Sequence, residues 1–127
     1  LFSVYNRSPY FQHYAACLEP IYTQPYERLI DFNITCMHWI KQQLKAVFAE
    51  EVTIAFTKEY SNADEDLRRN FKPGVERQSM TTHPYYQLFS ERNGFLPNLS
   101  MLDLLFSEGP HSLQWVRSHK DLILSWR

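Results

Sequence analysis

Glycine is scarce in this chain, with only three residues among 127. So few glycines exclude a Gly-rich phosphate-binding loop and the glycine-dependent repeat architectures. No uninterrupted apolar run approaches the roughly 20 residues that a membrane-spanning helix needs. The sequence therefore predicts one domain over residues 1–127, with no membrane span.

The chain also has no excess of positive charge, because it contains 13 basic and 14 acidic side chains and carries a net charge of −1. Nucleic-acid-binding proteins normally carry a basic surplus, so nucleic acid is excluded as a partner. Aromatic residues, in contrast, are abundant at 16% of the chain. They suit both a packed core and a pocket for a small-molecule substrate.

Cysteine is limited to Cys17 and Cys36, which share no CxxC motif and lie in apolar helical stretches. We expect two reduced, mostly buried thiols in a cytoplasmic protein, with a disulfide between them as the alternative. The five histidines are scattered and form no HExxH motif. No metal site is predicted, and no cofactor motif is present, so the cofactor is unknown.

Apolar spacing predicts a mainly α fold. Ser8-Pro9 is typical of a helix start, which predicts a helix over about residues 9 to 18 that Pro20 ends. A longer helix is predicted over about residues 26 to 48, with Ile30, Ile34 and Met37 widening its apolar face so that more than one side is covered. Its core-facing positions are Leu29, Phe32, Cys36, Ile40, Leu44 and Val47.

Residues 52–57 alternate apolar with small or hydroxyl side chains, which predicts the single strand of the chain. A lone strand leaves its backbone groups unpaired. We therefore expect its partner in another chain or in a missing segment, with the tail at 122–126 as an internal alternative.

Residues 58–83 are polar and poorly patterned, with a short helix predicted at about residues 64 to 70. Within them, Arg68 and Lys72 follow a run of acidic residues. These charges fit a solvated, self-paired surface, and they also fit a loop in which Arg68 and Lys72 bind an anionic ligand.

The last third of the chain predicts three helices. The first carries Tyr85, Tyr86 and Gln87 and ends at Asn93-Gly94. Asn98 or Ser100 caps the second, which Gly109-Pro110 stops, and a third helix carries Leu113, Trp115 and Val116.

The densest polar cluster combines Asn98, Ser100 and Asp103 at the start of the second of these helices. Asn98 is expected to cap the helix, and the positive end of the helix dipole stabilises a negative charge on Asp103. The register turns Ser100 and Asp103 toward the same space as Gln87 and one of Tyr85 or Tyr86. Such groups can orient a substrate, and they can equally form a capping box without a ligand.

Residues 86–110 closely resemble a segment of the WbqC-like protein family. The shared pattern has four parts in this order. A Tyr is followed after one residue by Gln-x-Phe, and then come Gly-Phe-x-Pro-Asn-Leu-Ser, Asp-Leu-Leu-Phe and Gly-Pro. Its members here are Tyr85 or Tyr86, Gln87, Phe89, Gly94, Phe95, Pro97, Asn98, Leu99, Ser100, Asp103, Leu104, Leu105, Phe106, Gly109 and Pro110. The family pattern ends in Phe-Asn, where this chain has Phe106-Ser107.

Three earlier segments resemble the same family more loosely: residues 8–14, 29–33 and 66–68. The resemblance implies that the chain is the C-terminal portion of a member. A missing N-terminal segment would then supply further strands and make the full-length fold α+β. A second copy of the chain is another partner that the sequence leaves open.

The family resemblance also implies a function, because members are encoded in O-antigen and other surface-polysaccharide gene clusters and in some secondary-metabolite clusters. We expect an enzyme that transfers a group to an activated sugar, with Asp103, Ser100 and Asn98 as catalytic candidates. Gln87, Tyr85, Tyr86, Arg68 and Lys72 are the ligand-binding candidates. A non-catalytic accessory or scaffold protein of a biosynthetic complex is the alternative.

Overall fold

The structure, a computed structural model, describes residues 1–58, 85–97 and 99–121. Within these ranges the chain is mainly helical and contains no strand, and none of the helices is long and apolar enough to cross a membrane. The elements are α1 (Phe2–Tyr5), α2 (Phe11–Thr23), α3 (Leu29–Leu44), α4 (Ser90–Asn93), α5 (Met101–Glu108), a 3-10 turn (Gly109–His111) and α6 (Ser112–Ser118).

Helix α2 differs from its prediction at both ends. It begins at Phe11 with Tyr10 at the N-cap position, so Ser8-Pro9 precedes the helix and does not cap it. Pro20 lies inside the helix, which continues to Thr23. A proline this close to the end removes one backbone hydrogen bond at most, and the buried side chain of Ile21 keeps the last turn packed. The prediction that Pro20 ends the helix is therefore wrong.

Helix α3 is shorter than predicted, and its apolar face is shifted. Lys45, which has a φ of +52°, adopts the left-handed conformation that ends the helix. Leu29 and Val47, predicted to face the core, are 73% and 98% exposed, and Trp39 is the buried residue of the helix. Ile30 and Met37 are also exposed, so no second side of α3 is covered among the described residues.

Phe106 of α5 lies at the centre of the main core and is fully buried. Its ring centroid is 5.0 Å from that of Tyr5, 5.2 Å from that of Phe11 and 6.4 Å from that of Tyr14. Such aromatic pairs each stabilise a fold by about 0.5–1.5 kcal/mol beyond their buried area. One side chain of α5 therefore holds α1 and α2 together.

The strand predicted at residues 52–57 is not formed among the described residues. Val52, Ile54 and Phe56 are all exposed, and the backbone there is irregular. The alternation is present in the sequence, but a strand also needs a neighbouring backbone to pair with. The tail at 122–126 and the short helix predicted at about residues 64 to 70 lie outside the described residues.

The two cysteines are free, as predicted, but they are less buried than expected. Cys17 is exposed on α2 and Cys36 is half-buried on α3. Burial raises the pKa of the Cys36 thiol. Phe11, Tyr14, Leu18 and Ile21 form the buried face of α2, and Cys17 lies outside it.

The C-terminal helices follow the predicted order with different bounds. The segment that begins at Tyr85 forms only the four-residue helix α4, after which Gly94 adopts a φ of +68°. Ser100 is the N-cap residue of α5, although its side chain makes no capping hydrogen bond. Asn98, the predicted cap, lies outside the described residues. Helix α5 ends before Gly109-Pro110, as expected.

The chain makes a tight corner where α5 ends beside the start of α2. Gly109 has a φ of +54°, and a Cβ atom built on it would lie 2.5 Å from the ring of Tyr10. The backbone N–H of Tyr10 donates a hydrogen bond to the carbonyl of Phe106 at 3.0 Å. Only glycine allows this approach, because any side chain here would meet the tyrosine ring.

We predict that Gly109→Ala lowers the free energy of unfolding more than Gly94→Ala does. Both substitutions force alanine into a glycine-only backbone conformation, which costs about 1–3 kcal/mol. A Cβ atom at position 94 would have nothing within 4 Å. A Cβ atom at position 109 would clash with the ring of Tyr10, which lowers the free energy of unfolding by roughly 1–3 kcal/mol more. Urea denaturation of the two variants measures the difference, and equal losses would contradict the role of the Tyr10 contact.

Candidate functional site

The candidate site centres on the carboxylate of Asp103, the third residue of α5. Its backbone N–H donates to the carbonyl of Ser100 at 3.0 Å in the first turn. The residue is only 4% exposed, although aspartate is usually a surface residue. The positive end of the helix dipole lies at this position and stabilises negative charge.

Two tyrosine hydroxyls lie near this carboxylate. The hydroxyl of Tyr85 donates to Asp103 Oδ2 at 2.9 Å, and the hydroxyl of Tyr5 lies close enough that, besides burial, the charge of Asp103 raises the pKa of Tyr5. Tyr5 belongs to α1 and Tyr85 to the segment before α4. Three separate parts of the chain therefore meet at the side chain of Asp103.

Gln87 extends the network to the segment after α4. Its Nε2 donates to the Tyr85 hydroxyl at 3.0 Å and to the carbonyl of Leu96 at 2.8 Å. The backbone N–H of Leu96 donates back to Gln87 Oε1 at 2.9 Å. The buried amide of Gln87 is thus engaged on both its oxygen and its nitrogen, and it closes the loop that carries α4.

Aromatic rings surround the polar groups and exclude water from them. The ring of Tyr85 packs edge-on against Phe95 at 5.3 Å and Trp115 at 5.1 Å. Burial and the nearby Asp103 charge raise the pKa of Tyr5 to about 12, and burial is also the main cause of the raised pKa of Tyr85. Both hydroxyls are therefore protonated donors at neutral pH and poor general bases.

Asp103 makes no ion pair with any of the described residues. The ion pairs in those residues join Arg28 to Asp31, and Glu50 to Lys41 and His38. Each of those partners is at least partly exposed, while Asp103 is buried among neutral donors. Buried ionisable groups without a counter-ion are costly and cluster at functional sites, although structural networks also contain them.

Only some of the predicted site residues join this network. Tyr86 and Ser100 are exposed, whereas Tyr85 and Gln87 are buried beside Asp103. Asn98, Arg68 and Lys72 lie outside the described residues. Among residues 1–58, 85–97 and 99–121, no group of histidine, cysteine and acidic side chains could hold a metal ion.

Two members of the network are absent from the sequence prediction. Tyr5 precedes the first predicted helix and no local pattern relates it to Asp103. Leu96 contributes only backbone atoms, which a sequence pattern does not distinguish. The one usable signal for Leu96 is its place between Phe95 and Pro97, in the turn that leads back to α5.

We predict that Gln87→Ala lowers the free energy of unfolding by roughly 1–3 kcal/mol, because it removes the partners of the Leu96 N–H and carbonyl. Gln114→Ala, at an exposed position of α6, is the matched control and should change stability by less than about 0.5 kcal/mol. Urea denaturation checks both values. Equal effects would show that the Leu96 bonds contribute nothing to stability.

We also predict a loss of stability at alkaline pH that depends on the two tyrosines. The pKa of Tyr5 rises from 10.0 to about 12 on folding, so its contribution is complete below pH 10 and is lost as the pH approaches 12. Tyr5→Phe and Tyr85→Phe should each make this decline less steep. Tyr14, Tyr22 and Cys36, whose pKa values burial also raises, account for the decline that remains. Urea midpoints measured between pH 10 and 12 test this, and an unchanged decline in both variants would refute it.

The family model of the WbqC-like protein family matches residues 1–73 of this chain. The matched part includes Tyr5, helices α2 and α3, and the looser resemblances at 8–14, 29–33 and 66–68, but it ends before the segment at 86–110. No curated protein and no solved structure matches the chain. A match over more than half of the 127 residues shows the family, and the chain belongs to the WbqC-like protein family.

Proposed function

We propose that this chain is part of a cytoplasmic enzyme of surface-polysaccharide (O-antigen) or related secondary-metabolite biosynthesis, which transfers a group to an activated sugar. The supporting observation is the buried carboxylate of Asp103, which accepts a hydrogen bond from Tyr85 and lies near Tyr5, without a cation among the described residues. Membership of the WbqC-like family supports the biosynthetic context.

The energetic cost of this arrangement is the reason for a functional interpretation. A buried charge that is satisfied only by neutral donors destabilises a fold relative to a neutral amide or an apolar side chain of similar size. Asparagine at position 103 would still accept the hydrogen bond of Tyr85. The presence of a carboxylate at this position is therefore better explained by chemistry at the site than by packing.

The residues have distinct proposed roles. Asp103 fixes the Tyr85 hydroxyl and supplies negative charge beneath the surface, so it orients and holds rather than donating a proton. Ser100, exposed at the start of α5, is the predicted group that can contact a substrate there. Asn98, Arg68, Lys72 and the exposed Tyr86 remain proposed contacts for the same ligand.

One observation favours the alternative of a non-catalytic accessory protein. The amide of Gln87 is engaged with Leu96 and Tyr85 and is not turned toward a substrate. Near it, Tyr86 and Phe89 expose about half of their aromatic surface. Exposed aromatic side chains of this kind are typical of protein–protein contacts.

Asp103→Asn separates the two functions, and Asp31→Asn is its matched control. Asp31 is also the third residue of a helix, α3, but it is paired with Arg28 at the surface. The full-length protein is incubated with nucleotide sugars and acyl or aminoacyl donors, and products are followed by mass spectrometry. We expect Asp103→Asn to lower kcat by roughly 100-fold or more, and Asp31→Asn to leave it unchanged.

Thermal melts of the same variants complete the test. If Asp103→Asn lowers only the melting temperature and leaves turnover intact, the network is structural and the catalytic role is wrong. If the wild-type protein turns over none of these substrates yet binds other proteins of its biosynthetic complex, the accessory function is correct.

A further inference from the structure

A cleft of about 540 Å³ lies between α1 and α4, outside the Asp103 network. One wall is formed by residues 2–4, 6 and 7, and the other by residues 88, 89, 91 and 92. Its volume is within the range of about 300–1,000 Å³ that is usual for small-molecule sites. None of the catalytic or ligand-binding residues predicted from the sequence lines it.

Two arginines, one from each wall, give the cleft its charge. Arg7 and Arg92 line it together with a single acidic residue, Glu91. Neither arginine forms an ion pair within the described parts of the chain, in contrast to Arg28, which is paired with Asp31. Two guanidinium groups with free donors in one cleft are suited to a phosphate group, which they bind through paired hydrogen bonds.

Aromatic rings line the same cleft. Phe2 is 66% exposed and Phe89 is 42% exposed, one on each wall. Exposed phenylalanine rings next to unpaired arginines offer apolar faces against which a sugar or base ring can pack. The cleft therefore combines one feature that binds an anion with another that binds a ring.

The buried network holds the two walls in place. Tyr5 precedes Asn6 and Arg7 on one wall, and Gln87 precedes Leu88 and Phe89 on the other. Asp103 accepts a hydrogen bond from Tyr85 and lies near the hydroxyl of Tyr5, and Gln87 is fixed by the backbone of Leu96. A site whose walls are already fixed loses less entropy when a ligand binds.

We propose that this cleft binds a small ring compound that carries a phosphate group, with Arg7 and Arg92 on the phosphate and Phe2 and Phe89 on the ring. A nucleotide and a sugar phosphate share this chemistry. The inference goes beyond the proposed group transfer and holds whether or not the chain is an enzyme.

Calorimetric titration of the full-length protein tests the site with uridine monophosphate, glucose 1-phosphate, inorganic phosphate and uridine. We expect one or both ring phosphates to bind with a Kd below about 1 mM, and uridine to bind much more weakly. Arg7→Gln and Arg92→Gln should each raise that Kd by about tenfold or more. Arg117→Gln, an exposed arginine of α6 outside this cleft, is the matched control and should leave it unchanged.

The contact with the ring is tested separately through Phe89. Phe89→Ala should weaken binding of the ring phosphates but not of inorganic phosphate, and the ring phosphate that loses more affinity identifies the preferred ring. The proposal is overturned if no ring phosphate binds the wild type, if uridine binds as tightly, or if Arg117→Gln weakens binding as much as the cleft variants. Melting temperatures close to that of the wild type establish that each variant is folded.

Discussion

The structure depends on one buried carboxylate that has to be satisfied by hydrogen bonds. Asp103 lies in α5, yet its donor Tyr85 comes from the segment before α4, and the neighbouring hydroxyl of Tyr5 belongs to α1. A charge in a dry environment is tolerable only when such donors are in place, so the three segments have to assemble together. The position of α1 relative to the loop of α4, and with it the shape of the cleft between them, follows from this requirement.

Local sequence patterns were sufficient to place part of this network. The sequence pattern puts Asp103 in one space with Gln87 and one of the two tyrosines, and Asp103, Tyr85 and Gln87 do lie together. It also puts Ser100 with Asp103, whereas Ser100 is exposed and Asp103 is buried beside Leu104 and Leu105. Tyr5 could not be found in this way. It is 98 positions from Asp103, and only the packing of Tyr5 on Phe106 brings the two residues together.

Other predictions failed because the periodicity of apolar residues indicates whether a segment is a helix or a strand, but not which other segments it packs against or pairs with. In α3 the helix was correctly inferred, but the buried position is Trp39, while the apolar Leu29 at the start of the helix is exposed. At residues 52–57 the alternation indicates a strand, but the described residues offer no backbone with which to pair. Core contacts and strand partners are set by distant parts of the chain, and a local pattern does not contain them.

The corner at which Gly109 meets Tyr10 has a consequence for how the molecule can be divided. The family match ends at residue 73, yet the ring that covers Phe11 and Tyr14 is Phe106, and the turn against α2 is made by Gly109. A fragment cut at the family boundary would keep the contact of Tyr14 with Trp39 of α3 but would lose the cover that Phe106 gives to Phe11 and Tyr14. The packing of α2 is therefore shared between the matched stretch and the part of the chain that follows it.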